Sequence, residues 1–134
     1  MNAALSLQKA MREALLADAT LKALLGGGHV FDEQPRGVKP PFVSFETIET
    51  RDWSVADAIA HEHFLQVQVA TAERGRAQAQ AICDAIAHVF NTAELALVGH
   101  TLVNLRLIFW SVARARSEQT FGATLRFRAA TEPL

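Results

Sequence analysis

Two stretches of the chain alternate side-chain polarity with the period of a β-strand. In residues 63–70 the odd positions are mostly apolar and the even positions include two glutamines, Gln66 and Gln68, and in residues 121–128 apolar odd positions alternate with mostly polar even positions. Successive side chains of a strand point to opposite faces, so this pattern is typical of a sheet with one face in the core and one in water. Arg126 and Arg128 both fall on the wet side. The sequence therefore predicts an open sheet face that carries arginines.

Helical patterns elsewhere in the sequence predict helices that can pack on the apolar face of the sheet. Apolar side chains with helical spacing indicate a helix over about residues 74–90. Leucines near the N-terminus indicate a first helix, and Asp18 or Thr20 can cap a short second helix, which the glycine triplet at residues 26–28 ends. The order of elements is helix, helix, three strands, helix, two strands. This order predicts an α+β domain.

The connections between strands are also visible. Residues 51–61 are expected to form a long connection, and residues 102–112 and 121–129 a long hairpin with its turn near residues 117–119. On the first strand of that hairpin, the even-numbered Arg106 and Trp110 are expected to share a face. Arginine and tryptophan are enriched at binding hot spots, so this face is a candidate subunit interface. The alternative is that a helix covers Trp110 within one subunit.

Composition bounds the class of protein. With 134 residues, half of them hydrophobic, and a formal net charge of −1, the chain is expected to form one folded domain, residues 1–134. No apolar run reaches the roughly 18 residues that span a bilayer, so we expect a protein made in the cytoplasm without a membrane anchor. Cys83, the single cysteine, lies in a helical apolar neighbourhood and is expected to be a buried structural thiol.

Charge is distributed unevenly along the chain. Residues 1–100 hold 8 basic and 12 acidic side chains, whereas residues 101–134 hold 5 arginines and 2 glutamates. Such an asymmetry can create opposite surfaces that attract each other between subunits, although a solvated basic strand explains it equally well.

The sequence gives little support for a catalytic or metal-binding site. His61 and His63 would share a face of a strand with Glu62 pointing away, but the sequence indicates no third metal ligand. No serine has a glycine-framed elbow, and Cys83 lies inside a helix. We therefore expect no enzyme, no cofactor and no metal. A cytoplasmic α+β ligand-binding module or enzyme that uses these histidines is the alternative outside the structural classes.

The order of short motifs identifies a resemblance that covers nearly the whole chain. The motifs that carry it are HVFDEQPRGVKPPFVSFETIETRDWS at residues 29–54, EHFLQVQV at residues 62–69, GHTLVNLR at residues 99–106, and the final strand with FG at 121–122 and LRFR at 125–128. In this order and spacing, the chain resembles the tail-terminator (tail-completion) proteins of long-tailed bacteriophages, most closely the version found in bacterial gene transfer agents.

The resemblance implies a fold and a place in a particle. The fold is a curved, mainly antiparallel sheet of four to five strands with N-terminal helices and one long helix packed against it. Six copies are expected to form a ring that caps the tail tube at the head-proximal end of a virion or gene transfer agent particle assembled in the bacterial cytoplasm. One ring face would meet the tail-tube protein and the other the stopper or connector of the head, while DNA passes through the lumen without specific binding. A head-closure (stopper or connector) ring protein is the alternative within the same particle.

Exposure patterns, not a family site, suggest the contact residues. Subunit contacts are expected from Arg106, Trp110, Arg126 and Arg128. A second group, Arg51, Asp52 and Trp53, is expected to contact a partner ring. Replacing Arg126 and Arg128 by glutamate is expected to prevent ring formation and to leave the monomer folded.

Overall fold

The computed structural model describes residues 2–72, 75–114 and 121–134, and these ranges contain three helices and five strands. In chain order they are α1 (Ala3–Ala17), α2 (Ala19–Leu25), β1 (Val30–Phe31), β2 (Phe42–Asp52), β3 (His61–Ala70), α3 (Ala77–Thr92), β4 (His100–Arg114) and β5 (Phe121–Pro133). The predicted α+β class and order of elements are confirmed. The turn predicted near residues 117–119 lies outside the described residues. No helix in the described ranges is long and apolar enough to cross a membrane.

Side-chain oxygens fix where the N-terminal helices begin. The Asn2 side chain accepts a hydrogen bond from the amide of Leu5 at 2.8 Å, and the Asp18 carboxylate accepts one from the amide of Leu21 at 2.9 Å. Asp18, and not Thr20, is therefore the cap of α2. Gly26 ends α2 with a left-handed φ of 74°. Helix α3 begins at Ala77, later than the predicted start near residue 74, which is not a described residue.

The strands form one sheet in the order β1-β2-β3-β5-β4. The short β1 pairs in parallel with β2, and every other pair is antiparallel, so the predicted mainly antiparallel sheet is confirmed. Because β5 lies between β3 and β4, the last strand of the chain is in the interior of the sheet. The long strands β2 and β4 lie toward its two edges.

All three helices pack on one face of the sheet, as the alternating pattern predicts. Odd-numbered residues of β3 and β5 point into this core: Leu65, Val67, Leu125 and Phe127 are each at most 1% exposed. The Phe127 ring meets the Phe90 ring of α3 edge-on, with 5.2 Å between centroids. The opposite sheet face has no helix on it within the described chain.

The predicted long connection over residues 51–61 is shorter and more regular than expected. Strand β2 runs to Asp52 and β3 starts at His61. The amide of Trp53 donates to the carbonyl of Ala60 at 2.8 Å, and the amide of Val55 donates to the carbonyl of Ala58 at 2.9 Å. Residues 53–60 are thus the tip of a hairpin that continues the β2–β3 ladder.

His63 belongs to the core and not to a metal site. It is fully buried, with its Nδ1 2.9 Å from the Thr50 hydroxyl and its Nε2 2.8 Å from the Thr131 hydroxyl. Burial lowers the pKa of His63, and the neighbouring His61 and His100 lower it further. Both ring nitrogens therefore have partners, and the neutral ring is the form that the fold favours.

The buried cysteine gives a direct test of the core. Cys83 is 3% exposed, and burial together with the charge of Asp84 raises the pKa of its thiol to about 11. Since the thiolate is the reactive species, we expect the native thiol to react with a disulfide reagent at pH 7.5 at least about 100-fold more slowly than the unfolded chain. Absorbance after reagent addition, with and without denaturant, measures both rates. Equal rates in the two conditions would contradict the described core.

The His63 environment predicts an acid-sensitive fold. The unfolded chain, with a histidine pKa of about 6.5, takes up a proton more readily than buried His63, so stability should fall as pH drops below about 6.5. The contribution of this one group is at most about 1.4 kcal/mol per pH unit. Urea unfolding between pH 7.5 and 5.5 measures it. His63→Gln keeps hydrogen-bonding atoms but cannot titrate, so a variant as acid-sensitive as the wild type would contradict this assignment.

Candidate functional site

The sheet face without helices is a continuous surface of charged, amide and aromatic side chains, which we call the open face. Its charged residues come from four strands and are balanced. The carboxylates are Glu46, Glu49, Glu62 and Glu132, and the guanidinium groups are Arg51, Arg106, Arg126 and Arg128. The predicted separation of Arg126 and Arg128 from the apolar face of β5 is confirmed.

Arg128 is held within the chain. Its Nε donates to Glu62 Oε2 at 2.7 Å, its Nη2 lies 2.6 Å from the same oxygen, and its Nη1 donates to Asn104 Oδ1 at 3.4 Å. Its guanidinium also lies over the Trp53 ring, 5.1 Å from the centroid. The Arg128 and Glu62 side chains are only 23% and 15% exposed. Arg128 and Trp53, predicted for two different contacts, are therefore parts of one cluster.

Arg126 lies two residues before Arg128 on the same face of β5, and its side chain is more exposed. Its Nε donates to Gln66 Oε1 at 3.2 Å, and its guanidinium stacks 4.9 Å from the centroid of Phe109. Gln66 in turn donates to Glu46 Oε2 at 2.6 Å. This chain of contacts runs across the sheet from β4 to β2, so the open face is ordered without a partner.

Arginine–aromatic stacking recurs on the surface. The described residues contain five pairs in which the guanidinium lies within about 6 Å of a ring centroid. Three of them, those of Arg51, Arg126 and Arg128, lie on the open face. Each places a flat cation on a flat apolar ring, and such amphipathic surfaces suit protein contacts better than catalysis.

Strand β4 differs from the sequence prediction. A β-bulge between Leu107 and Phe109 adds one residue and reverses the alternation beyond it. Arg106 pairs with Arg128 and faces the open side, whereas Trp110 pairs with Leu125 and faces the helix side. The prediction that Arg106 and Trp110 share a face is therefore wrong. Trp110 lies at a cleft between β4 and α3 and remains 55% exposed, so α3 covers only part of it.

Strand β4 exposes more large apolar side chains than any alternation predicts. Val103, Ile108, Phe109 and Trp110 are each between 44% and 55% exposed. Val103 and Ile108 are the extra residues at the two bulges of the strand. The unbroken apolar run Leu107–Trp110 is the signal of this exposure in the sequence, and of these residues only Trp110 is predicted from sequence to be a contact. A strand with this composition at the edge of a sheet is a candidate interface.

The second predicted group lies at the end of β2. Arg51 stacks on Phe64 with 5.2 Å to the ring centroid, and Trp53 covers Arg128. Asp52 Oδ1 accepts a hydrogen bond from the amide of Ser54 at 3.0 Å, and hydrogen bonds from Ser54 lower the pKa of Asp52. All three predicted residues are exposed at the base of the hairpin tip, where Val55 and Ile59 are 72% and 62% exposed.

The geometry offers little to a reactive site. The described residues contain no group of three or more histidine, cysteine or acidic side chains that could hold a metal ion. Glu62 points away from His61 and His63, as predicted, and pairs with Arg128. A groove of about 410 Å³ on the open face is lined by side chains that include Glu49, Arg51 and Arg126, and by neither of these histidines.

Comparisons with known proteins agree with the predicted resemblance. The family model described as tail completion protein gp17 matches residues 9–132. A chain in the solved structure described as the virion of a native gene transfer agent (GTA) particle superposes with a TM-score of 0.86. It is 30% identical, and the alignment covers 98% of this chain and 99% of that chain. No curated protein sequence matches.

The two findings confirm the predicted family and the predicted virion location. The family has a structural role in completing the phage tail, and the structural match comes from an assembled particle. Both cover the core, the open face and β4 together. Over nearly its whole length, this chain belongs to the tail completion protein gp17 family.

Proposed function

We propose that this protein is a tail terminator. Six copies form a ring on the last ring of the tail tube, stop the tube from growing, and present the opposite ring face to the stopper or connector of the head. The protein acts by association and not by catalysis, and it needs no cofactor or metal.

The observation that carries the proposal is the surface of β4 in a tail structural protein. Four large apolar side chains are exposed along one strand at the edge of the sheet. A monomeric protein usually protects such an edge, because it pairs readily with other chains. A ring hides it, since each copy in a closed ring offers two different surfaces to its two neighbours.

The predicted contact residues fit different parts of this arrangement. Arg106 and Trp110 lie on β4, the edge strand that the proposed ring would set against a neighbouring subunit, while Arg126 and Arg128 lie one strand further in and shape the open face. The group from Arg51 to Trp53 lies where the strands end. If the strands run along the ring axis, that end of the sheet meets the next ring of the particle, either tube or head-side protein.

Near-neutral charge suits a ring through which DNA passes. The open face carries four arginines and four glutamates, and Arg128 and Glu62 form an ion pair. Affinity for DNA rises with each phosphate that a protein neutralises, so a strongly basic channel would hold its cargo. We propose that the lumen contacts DNA without specific binding.

Tube assembly gives the functional test. Purified tail-tube protein polymerising alone should give long tubes, and adding this protein should arrest their growth and shorten the mean length measured by electron microscopy. A stopper or connector ring would leave tube length unchanged and would bind the head-side protein instead. Unchanged length at a several-fold molar excess would contradict the terminator function.

The Arg128 cluster changes the expected result of charge reversal. Arg128→Glu places a carboxylate beside the half-buried Glu62, which should lower the free energy of unfolding by about 3 kcal/mol. Arg126→Glu alters an exposed side chain and should cost less than about 1 kcal/mol. The double replacement predicted from sequence to leave the monomer folded would therefore destabilise it. Urea denaturation of each single variant measures the difference.

A charge swap controls for the cluster. Combining Arg128→Glu with Glu62→Arg restores an opposite-charge pair across β3 and β5 and should recover part of the lost stability. Two results would show that the ion pair does not hold this part of the open face. One is equal stability of Arg128→Glu and Arg126→Glu, and the other is no recovery of stability in the swapped variant. Arg126→Glu is then the suitable single variant for testing the open face in ring assembly.

A further inference from the structure

The sheet has two long strand edges without a partner in the described chain. Strand β1 covers only Val43 and Ser44 of β2, so β2 is free on that side from there to Asp52. Strand β4 pairs with β5 on one side, and no described strand pairs with its other side. Unpaired amide and carbonyl groups on both edges are templates for a further strand.

The two edges carry opposite charge. Strand β2 holds Glu46, Glu49 and Asp52 against the single Arg51, a net charge of −2. Strand β4 holds Arg106 and Arg114 and no acidic residue, a net charge of +2. Electrostatic complementarity therefore favours contact between a β2 edge and a β4 edge, and disfavours contact between two edges of the same kind. Such a contact is heterologous, as a ring requires.

Strand direction and register also fit a contact between the β2 edge of one copy and the β4 edge of another. Because β2, β3, β5 and β4 are antiparallel in turn, β4 runs opposite to β2, and a neighbour placed beside the sheet continues an antiparallel ladder. Glu49 pairs with Phe64, Phe64 with Arg128, and Arg128 with Arg106, so Glu49 and Arg106 lie in the same row of the sheet. Within the described part of the chain, neither side chain makes a hydrogen bond or an ion pair.

We propose that neighbouring subunits join β2 of one copy to β4 of the next, with Glu49 opposite Arg106, so that one sheet continues around the ring. The inference rests on the proposed ring and adds the surfaces through which it closes. In this register Ile48 is opposite Leu107 on the helix side, so an apolar pair and an ion pair form on the two faces of the same ladder.

The bulges agree with this register. Unstaggered pairing sets residues 48–51 of one copy against residues 104–107 of the next. The β2 bulge at Glu46 and the β4 bulges at Val103 and Ile108 all lie outside that four-residue ladder. The interrupted positions of both edges therefore flank the contact and do not break it, and the exposed Ile108 and Phe109 lie at its border.

Such a ring has a defined size. Each copy adds four strand spacings of about 4.8 Å, so six copies give a backbone circumference of at least about 115 Å and a diameter of at least about 37 Å, which strand tilt increases. Barrels of 16 to 18 strands already enclose aqueous channels, and this ring has more strands. The helices need the larger circumference outside, which leaves the open face to line the channel.

Cysteine crosslinking tests the register. Directly opposite residues of antiparallel strands lie about 4.5–5.5 Å apart at Cα, which suits a disulfide. With Cys83 replaced by alanine, Glu49→Cys combined with Arg106→Cys should give, on oxidation, a ladder of crosslinked oligomers that ends at six. Each single-cysteine variant should give dimers at most. A double variant that matches the single variants would overturn the inference.

Charge reversal tests the contact without new bonds. Glu49→Arg or Arg106→Glu alone should raise the protein concentration at which half of the subunits are in rings by at least about tenfold. The two replacements together should restore the wild-type value. Both side chains are exposed, so circular dichroism and thermal unfolding should be unchanged. If wild-type rings form and both single variants assemble normally, the edge contact fails while the ring stands. If no ring forms from wild-type protein, alone or with tail-tube protein, the proposed function fails as well.

Discussion

The structure depends on a sheet that buries only one of its faces. Strand β5, in the interior of the sheet, points Leu125 and Phe127 into a core closed by three helices, and it points Arg126 and Arg128 away from them. Because the helices cover only one face of the sheet, the polar side chains of the other face must be ordered by contacts with one another. The Arg128–Glu62 ion pair, the Gln66–Glu46 hydrogen bond and the arginine–aromatic stacks meet that requirement within one chain.

The same constraint divides the surface into polar side chains that contact one another within the chain and side chains that remain exposed. The middle of the open face is connected by hydrogen bonds, whereas Glu49 and Arg106 near its borders and the apolar side chains of β4 have exposed groups that a neighbour can use. Exposed apolar area on an unprotected edge favours association through the hydrophobic effect, and opposite charges on the two edges select which edges meet. Assembly into a closed ring is therefore consistent with how the monomer is built.

Much of the fold follows from periodicity in the sequence. The alternation in β3 and β5 and the stripe of α3 predict a one-sided sheet, and Asp18 and Gly26 mark the ends of α2. The β4 bulge does not follow from sequence, because one inserted residue leaves no local signature and yet turns Trp110 to the other face from Arg106. The Arg128 cluster was also missed, since its partners Glu62, Asn104 and Trp53 come from three other parts of the chain.

The most direct test of the account is the molar mass of the purified protein in solution, by light scattering over a concentration series and with tail-tube protein added. The account predicts a species of six times the 14.6 kDa chain mass, either free or bound to tube ends. A mass of 14.6 kDa at every concentration, with no binding to the tube, would contradict it.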